Sequence, residues 1–186
     1  MYGATALNLA SRNIRLVELQ PVCESDPFTI KCSLQCFSLS TCPPYVALSY
    51  TWGPANHLKE IQINNCRFMI RENLWWFLYH MRLRSQGKLL WIDALCIDQS
   101  NIMEKNHQVP LMRQIYGNAA SVAVWLGQAA DDSDIAMDYI RDKGPRPLKQ
   151  KRSGLRNIWN SREGNAVLAL CERRYWRRIW IVQEIM

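Results

Sequence analysis

No apolar run in this chain approaches the roughly 20 residues that a membrane-spanning helix needs. The first residues, Met1-Tyr2-Gly3-Ala4-Thr5-Ala6-Leu7, have neither the basic start nor the long apolar stretch of a secretory signal. Seven cysteines is an odd number. With no export signal to oxidise them, they read as reduced thiols, and the expected location is the cytoplasm. Cys32, Cys36 and Cys42 are spaced more widely than the tight pairs of structural zinc sites, so no metal is expected and the thiols are assigned to strands. Histidine is scarce, at three residues. None of His57, His80 and His107 has a telling position beside Cys96, which argues against a Cys–His hydrolase. The glycine loop of phosphate binders, GxGxxG and zinc-protease motifs are all missing. No internal repeat is visible, and bulk composition excludes collagen, coiled coil and wholesale disorder.

What the chain has is one domain's worth of length, 186 residues, with 48% hydrophobic and 21% charged residues and eight tryptophans. That is enough to bury a sizeable core. The net charge of +7 is concentrated, because residues 141–178 hold twelve Lys or Arg against three acids. Within them, residues 143–153 combine like charge with Pro and Gly and read as a flexible basic linker. A basic segment can also touch nucleic acid or an anionic membrane surface. Nucleic acid would need aromatics interleaved with the bases on an ordered surface, so it is not the expected partner.

Ile14–Leu19 alternates and stops before Pro21, and Phe28–Leu34 reads the same way, predicting an N-terminal β-hairpin. Tyr45–Trp52 is dense in β-formers and stops at Gly53-Pro54. Ile61–Ile63 and Phe68–Ile70 flank Asn64-Asn65, a hairpin signal because Asn tolerates positive φ. Asn73 suits the cap of a helix that carries Leu74, Phe77, Leu78 and Met81 on one face, with Gly87 closing it. Leu89–Ala94 is a continuous apolar run with an acid, Asp93, near its end, as in a central parallel strand. A loop over 96–101 precedes a helix in which Pro110 marks a kink or a first turn. Ser121–Leu126 is another buried strand. Asp131, Asp132 and Ser133 suit the start of a helix, and one last helix is predicted from about Arg162 to the end.

Strands alternating with helices of this length predict an α/β fold: a mostly parallel central sheet with helices on both faces, with the N-terminal β-hairpin as an addition. In such sheets the ligand crevice lies beyond the carboxyl ends of the strands. Two groups of residues fall there: Ser49, Tyr50, Trp52 and Gly53 after one strand, and Asp93, Asp98 and Gln99 after another. Trp52 offers a flat surface for a base, or simply packs in the core. Asp93 can orient a ligand or cap loop amides, and Asp98 and Gln99 can do the same or form a turn. Glu184 follows Trp176, Ile179 and Trp180 at helical spacing. A carboxylate on an aromatic face needs a salt bridge, here to Arg177 or Arg178, or a cleft to face.

Three blocks resemble those that define the fungal heterokaryon incompatibility (HET) domain: Tyr45–Gly53, Leu90–Gln99 continuing through to Gly127, and Tyr175–Ile185. The resemblance covers about residues 12–186. Asp98 stands where the family often has Asn, and the family pattern runs on past Glu184, so the single domain at 1–186 is expected to be cut short at its C-terminal end. More distantly, the chain resembles Toll/interleukin-receptor (TIR) domains. Those with NAD-cleaving activity place a catalytic glutamate in a Trp-x-x-x-Glu-Leu setting, which Trp180 to Ile185 matches. The resemblance implies a TIR-like, flavodoxin-like sheet and a role in fungal self/non-self recognition and programmed cell death, a form of innate immunity. It also implies Glu184 as catalytic residue of an NAD glycohydrolase, with Ser49, Tyr50, Trp52, Gly53, Asp93, Asp98 and Gln99 as binding residues. NAD would then be substrate, and no cofactor is expected. The implied partners are further copies of the chain, or an allelic or NLR-type recognition protein. The competing functions are a signalling module that assembles homotypically without chemistry, and a basic nucleic-acid binder.

Overall fold

The structure, a computed structural model, describes residues 2–22, 26–83, 87–143 and 161–185. Apart from Lys143, the basic run over 143–153 lies outside them. The chain forms two compact units, one of residues 1–127 with 179–186 and the other of residues 128–178.

The first unit holds a seven-stranded sheet: β1 Asn13–Leu19, β2 Lys31–Ser38, β3 Tyr45–Tyr50, β4 Leu58–Ile63, β5 Cys66–Arg71, β6 Leu89–Trp91 and β7 Ser121–Trp125, in the order β5-β4-β2-β1-β6-β3-β7. β6, β3 and β7 are adjacent and parallel, and β2 pairs with β4 in parallel. The β1–β2, β1–β6 and β4–β5 pairs are antiparallel. The architecture is α/β with a mixed sheet. The N-terminal hairpin is no appendage, because β1 lies between β2 and β6. β1 buries Ile14, Arg15, Leu16, Val17 and Leu19, residues of both of its faces, where simple alternation predicted one wet face. The Asn64-Asn65 turn has φ of 50° and 63° at its two residues, the left-handed pair that matches the twist of a tight hairpin.

The helices of this unit are α1 Glu72–Met81, the single turn α2 Asp93–Cys96, α3 Ile102–Gln108 and α4 Met112–Asn118. The second unit has α5 Ser133–Lys143 and α6 Arg162–Glu172, and α7 Ile181–Ile185 belongs to the first unit again. Helices cover both faces of the parallel strands. Trp125 lies in register with Tyr50 and meets Phe77 of α1 at 6.0 Å, while Trp91, in register with Ala47, meets Tyr116 of α4 at 5.3 Å.

Several boundaries differ from the sequence prediction. β6 stops at Trp91, since Asp93 begins a helical turn and its Oδ1 accepts the Ala94 N–H at 2.7 Å. Pro110 falls in a 3-10 segment, Val109–Leu111, that separates α3 from α4, because proline cannot supply an internal N–H. Arg71 occupies the N-cap of α1, so Asn73 does not cap it. The single C-terminal helix is three pieces: α6, a 3-10 turn at Arg174–Arg177, and α7. Extended backbone at Arg173 and Arg178 breaks it, so Trp176, Trp180 and Glu184 do not form one helical stripe.

In the second unit, Ser161 caps α6 by accepting the Gly164 N–H at 3.0 Å. Arg162 forks onto Asp132 at 3.0 and 2.9 Å, and Ala136, Ala166, Leu170 and Tyr175 are buried.

Candidate functional site at the carboxyl ends of β3 and β6

Ser49 and Tyr50 end β3. Consecutive strand residues point to opposite faces, so the two diverge. Tyr50 lies on the Trp125 side of the sheet. Ser49 lies on the α4 side, where its hydroxyl donates a short hydrogen bond to Oε2 of Glu184 on α7. Ser49 is fully buried and Glu184 is 2% exposed. Thus the structure joins Glu184 to Ser49 at the end of β3 and turns the Tyr50 side chain away. The polarity of α7 is inverted here, since its carboxylate is buried while Val182 is 60% exposed, and Ile179 just before the helix is 89% exposed.

The second cluster follows directly. The Trp52 indole Nε1 donates to Asp93 Oδ2 at 2.9 Å, which ties the loop after β3 to the turn after β6. Gln99 Nε2 donates to the Asp93 carbonyl at 3.0 Å. Asp98 serves its own loop: its Oδ1 accepts from the Ser100 N–H at 3.0 Å and from the Ser100 hydroxyl at 2.6 Å, an Asx turn. Gly53 has φ of 79°, so glycine is favoured by conformation, while a Cβ added there would make only an ordinary contact with Asn73 Cβ at 3.4 Å.

Four further residues shape this edge, and the sequence reading assigned them no such role. Arg71 donates from Nη1 to the Gly53 carbonyl at 2.6 Å, and its guanidinium lies 5.0 Å from the centre of the Trp52 ring. Asn73 donates to the Thr51 carbonyl at 2.5 Å and accepts from Trp125 Nε1 at 2.9 Å. The β5–α1 junction therefore fixes the loop that carries Trp52. On the other side, Arg15 of β1 forks onto Glu104 of α3 at 2.5 and 2.9 Å. Arg15 also donates to the Cys96 carbonyl at 3.0 Å, and Glu104 accepts the Asp98 N–H at 2.6 Å. This pair pins the loop that follows Asp93. The local signal for it was a basic residue in a strand and an acid at N3 of a helix capped by Asn101, neither of which names its distant partner.

Cys96 is fully buried and accepts the Ile92 N–H at 3.3 Å. Burial pushes its thiol up to about 12, so it is protonated at neutral pH and is no nucleophile.

Ser49, Trp52, Asp93 and Glu184, which shape this sheet edge, lie within the stretch, residues 45–184, that matches the family described as Heterokaryon incompatibility protein (HET). This chain belongs to the HET family. It is 31% identical to "Heterokaryon incompatibility protein 6, OR allele" of Neurospora crassa over 226 aligned positions, covering 98% of the chain and 33% of that protein. It is also 31% identical to "Vegetative incompatibility protein HET-E-1" of Podospora anserina over 93 residues, 48% of the chain and 7% of that protein. The HET chain described here thus spans about a third or less of the length of these relatives. No solved structure matches it. Among the described residues, no helix is long and apolar enough to cross a membrane.

Proposed function

We propose that this HET chain acts in fungal self/non-self recognition and signals incompatibility by cleaving NAD at the carboxyl ends of β3 and β6. The observation that carries this reading is the carboxylate of Glu184, held against the end of β3 by the Ser49 hydroxyl. In hydrolysis of NAD the bond between the ribose anomeric carbon and the nicotinamide nitrogen breaks, and its electron pair neutralises the pyridinium. Water then adds to the anomeric carbon and loses a proton, giving nicotinamide and ADP-ribose. The transition state is oxocarbenium-like, and a carboxylate beside the ribose stabilises that charge. Glu184 supplies it, Ser49 orients it, and the Trp52 ring, held by Asp93, offers a stacking surface. Because Glu184 is only 2% exposed, substrate can touch it only after α7 moves away from β3, which makes this conformation the resting state.

The same burial favours a second reading, a module that signals by assembly alone, with Ser49–Glu184 as a structural tie. Nicotinamide release by the concentrated, purified chain separates the two. The first reading expects release that is lost in Glu184→Gln while the variant stays folded. No release from wild type at any concentration, with NAD levels unchanged in cells that the chain kills, leaves only assembly.

A further inference from the structure

We infer that Arg71 binds the pyrophosphate of a dinucleotide ligand at this edge, a proposal that rests on the NAD reading. The residues read from the sequence as lining the edge include three carboxylates, Asp93, Asp98 and Glu184, and no cation. A pyrophosphate carries two negative charges and would be repelled by such a set. The structure adds one guanidinium. Arg71 ends β5, comes to the edge from the far side of the loop after β3, and is half-buried. It is held in place twice, by the Gly53 carbonyl at 2.6 Å and by the Trp52 ring at 5.0 Å.

A guanidinium has five N–H donors, and the Gly53 carbonyl takes one. Among the described residues no carboxylate pairs with it. The adjacent acid, Glu72, is engaged by Lys59 at 3.4 Å and lies 3.6 Å from His57. A planar fork of remaining donors suits two phosphate oxygens. A fixed arginine beside a fixed tryptophan, itself tied to an aspartate, links cation, ring and carboxylate through direct contacts. These are the three chemistries that phosphate, base and ribose hydroxyls require.

The test compares ligands with and without the phosphates. Nicotinamide release is measured from NAD and from nicotinamide riboside with wild type, Arg71→Gln and Arg71→Lys, each checked for folding by circular dichroism. Arg71→Gln should lower the NAD-to-riboside selectivity in kcat/KM by about tenfold to a hundredfold, the effect of one lost charge-assisted contact. Arg71→Lys should recover part of it, since charge remains and the fork does not. If Arg71 only braces the loop, both substrates lose activity together, the ratio stays fixed, and the proposal is overturned. If wild type cleaves neither substrate, the catalytic reading fails and Arg71 is judged by calorimetry with ADP-ribose and adenosine. Tighter binding of ADP-ribose that Arg71→Gln abolishes upholds the anion site, and equal or absent binding refutes it.

Discussion

Arg15 and Glu104 place two opposite charges where neither side chain is more than 5% exposed. Breaking such a pair strands the survivor in a medium that solvates it poorly. Glu104→Gln should therefore cost about 3–5 kcal/mol, and the apolar double variant Arg15→Met/Glu104→Leu should recover most of that, as read from urea denaturation. The pair was not legible in the sequence. Arg15 alternates with apolar neighbours as a surface residue of a strand would, and its partner lies 89 residues away. Glu184 was singled out through its resemblance to a Trp-x-x-x-Glu-Leu setting, but its contact with the Ser49 hydroxyl was not foreseen, since Ser49 was assigned only to ligand binding.

Among the elements, α1 does more than cover the sheet. Its second residue, Asn73, joins the loop after β3 to the last residue of β7 through two hydrogen bonds. Asn73→Ala removes both and leaves a partly buried carbonyl and a partly buried indole N–H short of partners, at about 1 kcal/mol. The midpoint of denaturation should fall, and tryptophan emission should shift as Trp52 and Trp125 loosen. Unchanged emission and midpoint would refute the bracing role. The sequence announced elements wherever a residue has a strong backbone preference, as at Asn64-Asn65 and Pro110. It did not announce the break of the C-terminal helix. Arg173 and Arg178, whose extended backbone makes the break, carry no such local preference.

On the scale of the whole molecule, alternating strand and helix signals gave the α/β class and the adjacent parallel strands β6, β3 and β7. The insertion of β1 between β2 and β6 was hidden, because pairing order depends on contacts no local pattern encodes. The core also sets a pH limit. Burial pushes the thiols of Cys32 and Cys96 from 9.0 up to about 12, and it raises Tyr2 and Tyr45 as well. A raised acid binds its proton more tightly when folded, so its contribution is fully present below about pH 9 and declines as pH climbs towards 12. In reducing buffer the guanidinium midpoint should be lower at pH 10.5 than at pH 8, with a shallower decline in Cys96→Ala. A midpoint that is flat over this range would contradict the burial of these groups.

The bond between Ser49 and Glu184 also orders events in time. The two residues are 135 positions apart, whereas the β1–β2 ladder joins residues 13 to 25 apart and can close while most of the chain is still unsynthesised. The hydroxyl at the end of β3 must wait through the making of β4, β5, β6 and β7 before its acceptor exists. From the making of β3 until Glu184 is made, the nascent chain carries a β3 terminus that lacks this carboxylate. Whatever chemistry or assembly this edge performs through Glu184 cannot begin before α7 is made.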